Sequence, residues 1–152
     1  MKLSKNFSLQ EFLKSDTAMR LGIKNIPGEQ ELVNLTALAS CILQPVRDKW
    51  GSTKISSGLR VLELNRAIKS GDQSQHVVGQ AADFEAYAVG NFELATWISE
   101  TLDFDQLILE YYTKGIPDSG WIHCSYSSDG RNRKECLTKI EGKEGYEKGL
   151  LE

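Results

Sequence analysis

Histidine occurs only twice in this chain, at His76 and His123, and the surroundings of both constrain the fold. His76 lies in the run Ser74-Gln-His-Val-Val-Gly-Gln-Ala-Ala-Asp83, and His123 in Trp121-Ile-His-Cys-Ser-Tyr126. Two imidazoles and the Asp83 carboxylate form a ligand set suited to zinc, and three protein ligands leave a fourth position for water. If they share one ion, any fold must bring residues 76, 83 and 123 to one point. Metal-binding helices use histidine pairs three or four positions apart, so the longer step from His76 to Asp83 needs a turn, which Gly79 can supply.

The remaining chemistry of the chain offers few competitors. With 152 residues, one domain is expected over 1–152, with a charged tail from about residue 129 anchored by Leu137 and Ile140. The formal charge of -3 gives no reason to expect nucleic acid as a partner. No signal peptide is visible after Met1, because Ser8, Gln10 and Glu11 interrupt any apolar run, and no window suits a membrane helix. Synthesis in the cytoplasm and a monomeric state are the expectations. The three cysteines, Cys41, Cys124 and Cys136, lack CxxC spacing and read as reduced, packing thiols.

Periodicity predicts an α+β domain with helices packed on a mainly antiparallel sheet. Ser8-Leu-Gln-Glu11 is a capping box opening a short helix to about Lys14, with Phe7 and Phe12 as a hydrophobic staple. A long amphipathic stretch carries Leu32, Leu35, Leu38, Ile42, Val46 and Trp50 at helical spacing. Pro45 should kink it or remove a hydrogen bond, and Gly51 should end it. Strands are expected at 54–57, 81–86, 106–112 and 121–126, with helices at 62–68 and 91–101 and a hairpin loop over 113–120.

Each chemical assignment has a plainer competitor. A lone histidine beside Val77 and Val78 is more often structural, and His123 can simply pack beside Trp121. In a strand, His123 shares a face with residues 121 and 125, so Cys124 points away from any metal there. The basic run Arg131-Asn-Arg-Lys134 can attract anionic polymers, although such runs are usually solvated surface.

The pattern Ser74-x-His-x-x-Gly-x-Ala-x-Asp83 followed by Trp-x-His123 resembles the D-alanyl-D-alanine carboxypeptidase and endopeptidase group of zinc peptidases, whose wider relatives include lysostaphin-like enzymes and the hedgehog domain. Ser57-Gly-x-Arg60 with Asn65, Phe7-Ser-Leu-x-Glu-Phe12 and Phe104-Asp-Gln-Leu-Ile-x-Glu110 extend the similarity over roughly residues 6 to 126. The chain most resembles the small single-domain type common in phages and prophages. That resemblance implies zinc on His76, Asp83 and His123, with Arg60 and Ser74 contacting the substrate. A guanidinium can fork onto a terminal carboxylate or steady an oxyanion, although a solvated surface arginine is the bland reading. Asn65 reads as support, and Ser74 can alternatively cap a turn.

Many relatives carry an acid or histidine three positions before the last ligand, where this chain has Gly120. Glu110 is therefore the candidate general base, provided the hairpin sets it opposite Trp121 on the face of His123. One residue of slip would turn it away and leave Asp118 as the substitute. The resemblance implies hydrolysis of peptidoglycan stem peptides, as a carboxypeptidase or endopeptidase, at the cell wall after release by another factor or from a virion. The competing class is a non-catalytic zinc module that binds wall fragments or a protein partner.

Overall fold

The computed structural model describes residues 1–152 and shows an α+β fold with six helices and a six-stranded mixed sheet. The chain opens with three helices: α1 (Leu9–Leu13), α2 (Asp16–Leu21) and α3 (Glu29–Leu38). The capping box forms, with the Ser8 backbone N–H donating to Glu11 Oε2 at 2.8 Å. Phe7 and Phe12 pack edge to face, ring centroids 6.3 Å apart.

Helix α3 runs through a π-helical turn (Ala39–Leu43) into α4 (Gln44–Trp50). Pro45 has no N–H to bond and its ring collides with a regular preceding turn. The wide turn accommodates it: Gln44 N bonds Ala39 O, five residues back, and the helix continues. Gly51 ends it with φ 84°.

The sheet has the order β1-β2-β4-β3-β5-β6. Its strands are β1 (Thr53–Ser57), β2 (Ala81–Ala86), β3 (Gln106–Tyr112), β4 (Trp121–Ser125), β5 (Glu135–Ile140) and β6 (Glu147–Lys148). Helix α5 (Leu62–Ala67) follows β1, and α6 (Asn91–Thr101) joins β2 to β3. All pairings are antiparallel except β3 with β5. No helix is long and apolar enough to cross a membrane.

Strand alternation separates the two faces of the sheet. Ala82, Phe84, Leu107, Leu109, Ile122 and Cys124 join the core with Leu35, Leu38, Ile42, Val46, Leu94 and Ile98 from the helices. The alternate positions, including Asp83, Ile108, Glu110 and His123, face the other way. Burying one apolar side chain contributes roughly 1.5–3 kcal/mol, so this division fixes the register.

Two features differ from expectation. The segment after Asp129 is not a tail: β5 pairs with β3 in parallel, and Arg133 forks onto buried Asp105, Nε to Oδ1 at 2.9 Å and Nη2 to Oδ2 at 3.1 Å. Charge balance hid this, because the basic run is largely paired, Arg131 with Asp129 as well. The second difference is at Tyr111, which adopts φ 51°. A side chain in that left-handed region costs about 1–2 kcal/mol. The register with β5 slips between Leu109 and Tyr112, so Tyr112 enters the core while Glu110 and Tyr111 both line the opposite side.

Candidate metal centre

Strands β2 and β4 set two of the three candidate ligands side by side, since Asp83 and His123 are direct cross-strand partners. Asp83 Oδ1 lies 3.1 Å from His123 Nδ1. His76 comes from the turn-rich segment before β2, where Gly79 has φ 77° and a Cβ would stand 2.9 Å from Glu31 O. That turn brings His76 Nε2 to 3.4 Å from the same Asp83 oxygen. The three ligand atoms lie within 4.8 Å of one another.

This spacing fits a metal ion. Zinc bonds to nitrogen and oxygen are about 2.0–2.2 Å long, which puts tetrahedral ligand atoms about 3.3–3.5 Å apart. His76 adds a second indication. Its Nδ1 lies 2.7 Å from the Gly58 carbonyl oxygen, and a carbonyl only accepts, so Nδ1 carries the proton. Burial holds His76 below its ordinary pKa, against the pull of Asp83, so the ring is neutral and Nε2 presents a lone pair. That lone pair faces a carboxylate oxygen. Two buried acceptors confronting each other are satisfied by a cation between them, and the bond to Gly58 is the outer contact that orients a metal-binding imidazole.

Asp83 is ionised. Burial would raise its carboxyl, but the hydrogen bond from His123 holds it well below the usual range. Cys124 is buried on the helix side of β4, and burial pushes its thiol well above the ordinary cysteine value, which leaves it inert.

A cleft of about 730 Å³ opens over these residues and is also lined by Arg60, Ser74, Glu110 and Trp121. Arg60 is held by neighbours: Nε donates to Asn65 Oδ1 at 3.0 Å and Nη1 to Ser57 Oγ at 3.0 Å, with Asp83 Oδ2 at 3.9 Å. Fully buried Asn65 is anchored in turn by donating to Gly71 O at 2.7 Å. Ser74 accepts from the His76 backbone N–H at 3.3 Å while facing the cleft.

Glu110 pairs with Trp121 and Ile108 with His123, so Glu110 stands on the metal-centre side and is 8% exposed. Burial raises its carboxyl above the ordinary glutamate value, Asp83 adds to this, and His123, Lys139 and Arg60 oppose it. A carboxylate raised toward neutrality suits a proton acceptor. Asp118 is exposed in the hairpin loop and outside the cleft. Gly120 explains the missing acid: it has φ 68°, and a Cβ there would stand 2.0 Å from Glu110 O. No side chain fits at position 120.

Tyr111, Tyr146, Asp105 and Arg133 also line the cleft, none of them expected at the metal site from the sequence. Asp105 lies within the Phe104–Glu110 similarity and Arg133 within the basic run, and the adjacent pair Tyr111-Tyr112 breaks the alternation of β3.

Three convergent ligand atoms with a cleft above them form a group that can hold one metal ion and leave it open to the cleft. The sequence pattern of the Peptidase M15 family matches residues 5–125, and the chain belongs to that family. No curated protein matches the chain. M15 peptidases are zinc-dependent, and the ligands found here are a group that can hold such an ion.

Proposed function

We propose that the protein is a zinc peptidase that hydrolyses stem peptides of bacterial peptidoglycan, as a carboxypeptidase or an endopeptidase. The observation that carries this reading is the convergence of the His76, Asp83 and His123 ligand atoms to within 4.8 Å of one another beneath a cleft that also holds Glu110. The zinc ion, when bound, supplies Lewis acidity that polarises a carbonyl and acidifies water.

The chain's own groups supply the rest. Glu110, raised by burial, takes a proton from the attacking water and returns it to the leaving amine. Arg60, already aimed by Asn65 and Ser57, holds the substrate's carboxylate or the developing oxyanion. Ser74 offers its hydroxyl to the peptide backbone. Every group comes from one chain, so no second subunit is needed. The resemblance to phage and prophage enzymes supports action at the cell wall after release.

The test is incubation of zinc-loaded protein with purified peptidoglycan, followed by mass spectrometry of released fragments. Wild type should release peptides and so name the bond. Glu110→Gln should retain the metal and lose roughly 10²–10⁴-fold in kcat, whereas His76→Ala should lose the metal. A zinc-loaded wild type that binds the wall and cuts nothing would make the protein a binding module instead.

A further inference from the structure

The chain beyond the family match, which ends at residue 125, contributes two side chains to the cleft, Arg133 and Tyr146. Strands β5 and β6 form a hairpin whose base is clamped by buried Thr138. Its hydroxyl donates to Gly149 O at 2.8 Å and accepts from the Leu151 N–H at 3.1 Å. Gly149 N also bonds Cys136 O at 2.8 Å. The connecting turn is exposed, with Gly142 at φ 83° and Gly145 at φ 75°, and a Cβ at either glycine would meet nothing within 4 Å. From the end of this turn Tyr146 reaches the cleft that holds His76, Asp83, Glu110 and His123.

Tyr146 is 55% exposed. Partial burial, with the charges of Glu110 and Asp83, raises its phenol, which therefore stays protonated as a donor and has no hydrogen bond to another side chain. Beside it, Tyr111 stacks on Trp121 with ring centroids 5.2 Å apart at 20°. Tyr111 reaches that position only through its left-handed backbone. Three aromatic rings thus line the cleft next to the carboxylate of Glu110. A wall of rings carrying phenol hydroxyls suits a peptide segment, whose amide planes stack on rings and whose carbonyls accept from a phenol. Lys139 Nζ lies 5.4 Å from the Tyr111 ring centroid and adds a positive charge at its border.

We propose that Tyr146 is a substrate-binding residue delivered by the β5–β6 hairpin, donating to a peptide carbonyl while its ring completes, with Tyr111 and Trp121, an aromatic subsite for the substrate's peptide chain. This rests on the peptidase reading above. Tyr146→Phe, which removes only the hydroxyl, should raise KM about five- to tenfold. Tyr146→Ala should raise it further. In both, metal content should equal that of wild type and kcat should stay within about twofold.

A second measurement does not depend on turnover. Zinc-loaded Glu110→Gln is treated with tetranitromethane with and without a synthetic stem pentapeptide, and nitration is mapped by mass spectrometry. The peptide should protect Tyr146 and Tyr111, while Tyr87, 75% exposed and outside the cleft, should react equally in both. Wild-type KM in both variants, or nitration of Tyr146 unaffected by peptide in a protein whose wild type cleaves it, overturns the proposal. Absence of both cleavage and protection overturns the peptidase reading along with it.

Discussion

Replacing Gly120 by alanine should destabilise the hairpin that carries Glu110 and His123, and the structure separates the two contributions. A left-handed φ of 68° penalises any side chain by about 1–2 kcal/mol. The added Cβ would also stand 2.0 Å from Glu110 O, a backbone atom that cannot swing aside, and overpacking of this kind costs roughly 1–3 kcal/mol more. Gly142 isolates the first contribution, since its φ is 83° and a Cβ there meets nothing within 4 Å. For a domain of this size 1 kcal/mol moves Tm by about 2–4 °C. Gly142→Ala should therefore lower Tm by about 2–8 °C and Gly120→Ala by about 4–20 °C, with the Gly120 variant always the lower of the two. Calorimetry of wild type and both variants, metal-free and zinc-loaded, measures this. Zinc should raise Tm less in Gly120→Ala, because its hairpin must shift beside His123. Equal melting of the two variants would refute both the close approach and the explanation of why no acid occupies position 120.

Two further outcomes follow from other contacts. The hydrogen bonds from Arg133 outweigh burial and hold the Asp105 carboxyl below its ordinary range, so its stabilisation is complete above the unfolded value of about 3.9 and is lost as pH falls through the lower folded value. The stability gap between wild type and Asp105→Asn in urea titrations should narrow below about pH 4, and a constant gap would contradict the pairing. Asn65→Ala removes the acceptor of Arg60 Nε and the donor to Gly71 O. It should lose about 1–3 kcal/mol in stability and lower kcat/KM while zinc affinity stays unchanged, which metal titration and steady-state kinetics check together.

Much of the sheet was legible because its strands alternate. Residues 81–86 and 106–112 and the helix at 91–101 have the predicted bounds. The hairpin register that places Glu110 opposite Trp121 followed from the same pattern. The convergence of His76, Asp83 and His123 was readable because the chain has no other histidines. What escaped depended on distant partners. Nothing local marks Glu135–Ile140 as a strand until β3 offers its free edge, and a charged composition argued against it. The positive φ of Tyr111 goes with the slip in register against β5, which a single strand's pattern does not contain. The orienting partner of His76 is the backbone carbonyl of Gly58, and a carbonyl leaves no trace in residue identities.

The parallel pairing of β3 with β5 gives residues 126–152 a role beyond furnishing side chains. A chain cut where the family pattern stops would leave β3 with one unpaired row of N–H and C=O groups along an apolar strand, a template for joining other chains. Attempts to trim the protein to its recognisable portion should therefore yield insoluble material, even with all three ligand residues still present.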